Sequence, residues 1–277
     1  MELGAQNWLQ RAVAKPHFTC QALYSKKNTN HMPLPPETLV IASLVVAGAF
    51  IVFGLTGFGS TILAVPLLAH LLPLKFVIPM FVLLDFGAAL RTGFKFHATI
   101  DKRELAWLAP SMLAGIAAGV FLLVSLPGEL ILTALGVFVL GYGAYAASGR
   151  EPTLRLRRLW ALPVGAFGGV ISALFGAAGP MYVIYLGARG LDPAQVRATM
   201  SVVFIITTGT RITLFAFAGL FAQDGILTSA AALALPMLAG LWIGHHMHVN
   251  LSRRRLLQVI GTLLILSGGS LVVRAFT

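Results

Sequence analysis

The chain holds one cysteine, Cys20, among 277 residues. A lone thiol excludes an internal disulfide and a thiolate metal cluster. Acids are scarce too: Asp and Glu number 9 against 20 Lys and Arg, and charged residues make up only 10%. No Gly-x-x-x-x-Gly-Lys-Ser/Thr stretch occurs, so the chain has no phosphate cradle of its own for ATP hydrolysis. Residues 1–36 lack a continuous apolar run, and no cleavable signal peptide is expected there. The short alternating segments of a membrane β-barrel are also missing.

What is abundant is apolar surface. Hydrophobic residues make up 57% of the chain and the mean hydropathy is +0.86. Apolar stretches near 20 residues recur with few charges, which is the pattern of spanning helices. The expected class is an all-α polytopic membrane protein embedded in a lipid bilayer. The net charge of +11 is not read as a nucleic-acid surface, because the basic residues sit in short loops, as the positive-inside rule expects. Residues 1–36 form a polar tail. Its first 31 residues read as a dispensable or mis-called extension ahead of Met32, or as a disordered tail.

The chain repeats itself in order. "GAFIVFGLTGFG" (Gly48–Gly59) aligns with "GAFGGVISALFG" (Gly165–Gly176). "GAALRTGFKF" (Gly87–Phe96) aligns with "TGTRITLFAF" (Thr208–Phe217), setting Arg91 one position from Arg211. "MLAGIAAG" (Met112–Gly119) aligns with "MLAGLWIG" (Met237–Gly244). Two homologous halves are expected, residues 37–148 and 159–277, joined by a basic linker at 149–158. Each half reads as about five hydrophobic segments, one of them short and broken.

Basic residues orient these segments. Lys95, Lys102 and Arg103; Arg150, Arg155, Arg157 and Arg158; Arg189 and Arg197; and Arg253, Arg254 and Arg255 fall in four loops assigned to the cytoplasm. The loops around 125–129 and 221–225 hold none, and Lys75 and Arg274 lie near the other face. An odd number of crossings per half makes this an inverted-topology repeat, an architecture of secondary transporters that bind substrate where the halves meet. Arg11, Lys15, Lys26 and Lys27 in the tail run against the scheme.

Several residues could carry transport. In "GLTGFGSTILAVP" (Gly54–Pro66), Gly57, Gly59 and Ser60 loosen a helix, as Gly176 and Gly179 do in the second half. Broken backbone at membrane depth is tolerated where it lines a cavity or is buried in protein. It exposes N–H groups and a positive helix end, both suited to an anion. The plainer reading is glycine for close helix packing. Arg91 and Arg211 lie in apolar runs, where guanidinium groups could fork onto an oxyanion; Arg91 could instead snorkel to lipid phosphates. Asp85 is the one acid deep in an apolar helix. It could couple transport to protons, or act as a counter-ion to Arg91 or Arg211. Hydroxyls at Thr61, Ser201, Thr207, Thr208 and Thr210 could donate to an oxyanion, though such groups more often bond their own helix. "HHMHVNLSRRR", with His245 and His248, reads as an interface cap touching anionic headgroups rather than a metal site.

The motifs "GFGSTILAVPLL", "LFGAAGPMYVIYL" and the paired "MLAGxxxG" helices resemble the sulfite exporter TauE/SafE family, also called DUF81 or TSUP. The resemblance runs over about residues 38–275. It implies an inner-membrane permease for sulfur-containing anions such as sulfite, thiosulfate or organosulfonates. Ala177 and Ala178, where a second glycine pair would stand, depart from symmetry. The expectation is a secondary-active permease for a small anion with no cofactor, no catalytic residue and no metal, whose halves alternate access. The site would comprise Gly57, Gly59, Ser60, Arg91, Gly176, Gly179 and Arg211, with Asp85 as the coupling group. The alternatives are a cation or metal-ion channel or transporter, or a membrane-embedded enzyme.

Overall fold

In a computed structural model, residues 34–57, 59–93, 100–148, 155–247 and 253–276 are described. They form ten α-helices. Those from the first half of the chain are α1 (Pro36–Thr56), α2 (Ser60–Leu68), α3 (Leu74–Gly93), α4 (Lys102–Ser125) and α5 (Gly128–Ser148). Those from the second are α6 (Ala161–Phe175), α7 (Gly179–Ala188), α8 (Pro193–Phe217), α9 (Ile226–His246) and α10 (Arg253–Phe276). Single 3-10 turns occur at Arg158–Trp160 and Leu220–Ala222. Among the described residues, α1, α4, α5, α8 and α9, and α6 with its preceding turn, are long and apolar enough to cross a membrane. The protein is a multi-pass membrane protein. The long-short-long-long-long order occurs twice, as the sequence repeat leads one to expect.

Local chemistry sets the helix ends. Pro36 opens α1 and Pro193 opens α8, where a missing N–H costs nothing. Asp101 caps α4 by accepting from Arg103 N and Glu104 N, each at 3.0 Å. Asp192 caps α8 through a capping box with Gln195. At the breaks the same device appears in both halves. Gly57 (φ 81°) ends α1 and donates to Phe53 O, and Gly176 (φ 67°) ends α6 and donates to Ser172 O. Only glycine enters this left-handed region without strain. The sequence alignment sets Gly59 opposite Gly176; the helix ends pair Gly57 with Gly176 instead, a shift of two residues. Gly54, also in the loosened stretch, stays inside α1.

The paired motifs do the same packing job. In α4, Gly115 lies against Ala166, and Gly119 against Val170 and Ala173, of α6. In α9, Gly240 lies against Ala47 and Gly244 against Ile51 of α1. The residue numbers rise together along both seams, so each pair of helices runs parallel. The seam of α5 and α10 runs the other way: Gly261 meets Gly143 and Ala147, while Gly268 meets Gly136 and Leu140. Lipid offers no hydrophobic drive between helices, so close backbone approach at small residues carries the association. Large apolar side chains such as Phe121, Leu235 and Leu266 stay exposed on the outside of the bundle, where acyl chains solvate them.

The bundle has two distinct ends. Around the starts of α4 and α6 and the end of α7, Leu156 N donates to Ala188 O and Asp101 N to Thr199 Oγ1. At the other end, Lys75 Nζ donates to Val124 O and Gln223 Nε2 to Lys75 O. Arg158 and Arg189 thus lie at the same end as the start of α4.

Replacing Gly115 or Gly240 with valine is expected to cost about 2–3 kcal/mol by overpacking a seam. Gly141, where an added methyl would meet nothing within 4 Å, serves as the control. The midpoint of thermal unfolding in detergent should fall for the first two variants and hold for Gly141→Ala.

Candidate functional site

Asp85 lies in the interior of α3, 1% exposed. Its carboxylate accepts hydrogen bonds from Ser60 Oγ at 2.9 Å and Thr61 Oγ1 at 2.6 Å. These are the first two residues of α2, so the carboxylate sits at the end of that helix where N–H groups lack intrahelical partners and the dipole is positive. Ser60 therefore spends its hydroxyl on Asp85. Thr61 also packs on Gly176: a Cβ at Gly176 would come within 3.0 Å of Thr61 Cβ. The break between α1 and α2 and the break between α6 and α7 touch.

On the α7 side of that contact is a small cavity. Ser172 and Gly176 at the end of α6, Gly179 and Tyr182 of α7, and Thr208 and Arg211 of α8 border it. It has room for about one water molecule. Arg211 is 2% exposed, and its guanidinium lies 5.6 Å from the ring centroid of Phe215. Among the described residues, its Nε and Nη2 have no hydrogen-bond partner. Asp85 and Arg211 do not form an ion pair. The ion pairs among the described residues are Arg158–Glu104 and Arg189–Glu104. A buried cation without a close anion is expensive.

The remaining candidates are dispersed. Arg91 stands exposed on the last turn of α3, away from the buried interior, so the two arginines at neighbouring places in the repeat have different surroundings. Gly57 is exposed and Gly59 half-buried, while Gly176 and Gly179 border the cavity. Thr207 donates to Val203 O and Phe204 O, Thr210 to Ile206 O and Ser201 to Arg197 O, each bonding its own helix. The backbone cradle at α7 is thin. Pro180 has no N–H, and Met181 N and Tyr182 N both donate to Ala178 O. His246 turns its ring onto Trp242, 4.6 Å between centroids, and its Nδ1 donates to Trp242 O at 2.8 Å; His248 lies outside the described residues.

Two features escape a linear reading. Tyr182 is 1% exposed, borders the cavity, and its hydroxyl has no partner among the described residues. Its position one turn into the helix after the second break was the available signal. The other is Glu104, 1% exposed, at the start of α4. Its Oε1 accepts from Arg158 Nε at 2.8 Å and Arg189 Nε at 3.0 Å, and its Oε2 from Tyr185 Oη at 2.8 Å. Arg189 Nη1 also donates to Leu156 O at 2.7 Å. These partners lie 54 to 85 residues away in sequence, and no local pattern links them.

A polytopic helical bundle with two touching helix breaks and a buried guanidinium beside an internal cavity is the architecture of a membrane transporter. The family model of the sulfite exporter TauE/SafE matches residues 40–271, and the chain belongs to that family. It is similar to the probable inner membrane transporter protein TsaS of Comamonas testosteroni, 26% identical over 197 residues, covering 69% of this chain and 80% of that one. It is also similar to the probable sulfite/organosulfonate exporter TauE of Cupriavidus necator, 29% identical over 142 residues, covering 50% of this chain and 55% of that one. No solved structure matches. The protein is a membrane transporter and not an enzyme.

Glu104→Ala leaves two guanidinium groups facing each other without their shared carboxylate. It is expected to destabilise the protein by about 3 kcal/mol, read as a lower unfolding midpoint in detergent, with Glu104→Gln falling between it and the parent.

Proposed function

We propose that this protein is a secondary-active permease of the inner membrane for small sulfur-containing oxyanions, binding its substrate in the cavity between α7 and α8. The observation that carries the reading is Arg211, fully buried with two free donor nitrogens at a cavity bordered by the start of α7. A guanidinium matches two oxygens of one anion. The positive end of α7 adds to the attraction. The names of the two relatives, one for sulfite and organosulfonate export, favour sulfur oxyanions as the class. A cation pathway finds no support in a cavity whose buried charge is positive.

The two halves act as inverted repeats. In support, α4 pairs with α6 and α9 pairs with α1, an arrangement preserved when the halves are exchanged. The equivalent helices α5 and α10 run antiparallel, as inversion requires. A cavity with room for about one water corresponds to a closed state, and rocking of one half against the other would open it to each side in turn.

Asp85 is the coupling group. Its carboxylate occupies the start of α2, the place in the first half that matches the cavity at the start of α7 in the second. Asp85 and Arg211 together are neutral. An arriving monoanion adds one negative charge, and a proton taken up by Asp85 restores neutrality. Anion and proton then travel together.

Proteoliposomes loaded with labelled sulfite, thiosulfate or acetate test the function. Sulfite or thiosulfate flux should rise above empty liposomes and respond to an imposed pH gradient; flux at background for every anion overturns the reading. Arg211→Gln is expected to weaken half-saturation by about 10- to 100-fold, the worth of a charged hydrogen bond. Asp85→Asn should abolish acceleration by the pH gradient while anion-for-anion exchange continues.

A further inference from the structure

The buried polar groups of the cavity do not all have work to do in the fold. Tyr182 is 1% exposed, and among the described residues its hydroxyl has no hydrogen-bond partner. A buried hydroxyl left unpaired costs stability, and a protein keeps one where something outside the fold supplies the partner. The ring is held in place. Gly168 of α6 lies against it so closely that a Cβ there would come within 2.6 Å of a ring carbon and 2.8 Å of the hydroxyl oxygen. Gly168 thus makes room for the ring, and Tyr182 and Arg211 border the same cavity.

The α7 backbone leaves a gap that this hydroxyl fills. Pro180 lacks an N–H, and the N–H groups of Met181 and Tyr182 are taken by Ala178 O. We propose that Tyr182 is a substrate-binding and specificity-determining residue, its phenol O–H donating to a second oxygen of the anion held by Arg211. This inference rests on the reading of the cavity as an anion site. Its chemistry is selective. Arg211 offers N–H groups and no lone pair, and Tyr182 completes a set of donors that converge from two helices. An oxyanion answers donors from separate helices with separate oxygens, whereas a halide has a single centre. The hydroxyl therefore favours oxyanion over halide.

The test uses the full chain in proteoliposomes with labelled sulfite as probe and chloride as competitor, comparing the parent, Tyr182→Phe, Gly168→Ala and Arg211→Gln. Tyr182→Phe removes one oxygen and keeps the ring. It should raise the half-saturation concentration for sulfite about 10-fold, change the maximal rate less than twofold, and let chloride compete more effectively. Its unfolding midpoint without substrate should stay level or rise, since the lost hydroxyl had no partner. Gly168→Ala should also raise half-saturation, by displacing the ring with its hydroxyl intact. Half-saturation of Tyr182→Phe within twofold of the parent, while Arg211→Gln is impaired, overturns the role of Tyr182 and leaves the permease reading standing. A drop of several degrees in unfolding midpoint, or failure of Tyr182→Phe to fold, makes the hydroxyl structural and also overturns it. No sulfite transport by the parent overturns both.

Discussion

A carboxylate inside a membrane protein must be neutralised, hydrogen-bonded or placed in a favourable field, and Asp85 has the last two. Two hydroxyls from the start of α2 reach it, and it lies at the positive end of that helix. The rest of the interior follows. Because Asp85 holds the start of α2 against α3, Thr61 is carried onto Gly176. That contact brings the second break to the first, and with it the start of α7. The cavity, Tyr182 and Arg211 are arranged around a junction that one buried acid fixes.

The scaffold holding this junction is made of glycine seams. In lipid, helices gain little by hiding apolar surface from one another. Gly115 and Gly119 on α4, and Gly240 and Gly244 on α9, let backbones meet where larger residues would keep them apart. The two seams run parallel and the α5–α10 seam antiparallel. The polar interior is thus confined between rigid pairs, and its charges need not supply the cohesion of the bundle.

Much of this was legible in the sequence. Long apolar runs announced the helices, the duplicated "MLAGxxxG" announced the repeat, and Asp85 and Arg211 stood out as charges where charge is costly. The position of the breaks was less legible. Of Gly54, Gly57 and Gly59, Gly54 remains helical while Gly57 and Gly59 take positive φ, because the left-handed cap is set by where the helix can end. The partners of buried groups were beyond reach of a local pattern. Nothing near Asp85 in sequence points to Ser60 and Thr61, and nothing near Glu104 points to Arg158 and Arg189. Arg91 and Arg211 fall one position apart in the repeat, yet one is exposed and the other buried, since a repeat conserves the course of the backbone and not the depth of each side chain.

The short helix α7 has ten residues, about 15 Å of rigid rod. At its beginning are Gly179 and Tyr182, at its far end Arg189, gripped by Glu104 and by Leu156 O. One tip is held by an ionic clasp, and the other carries a buried hydroxyl without a partner among the described residues. The clasp and the cavity are thus the two ends of one short rod.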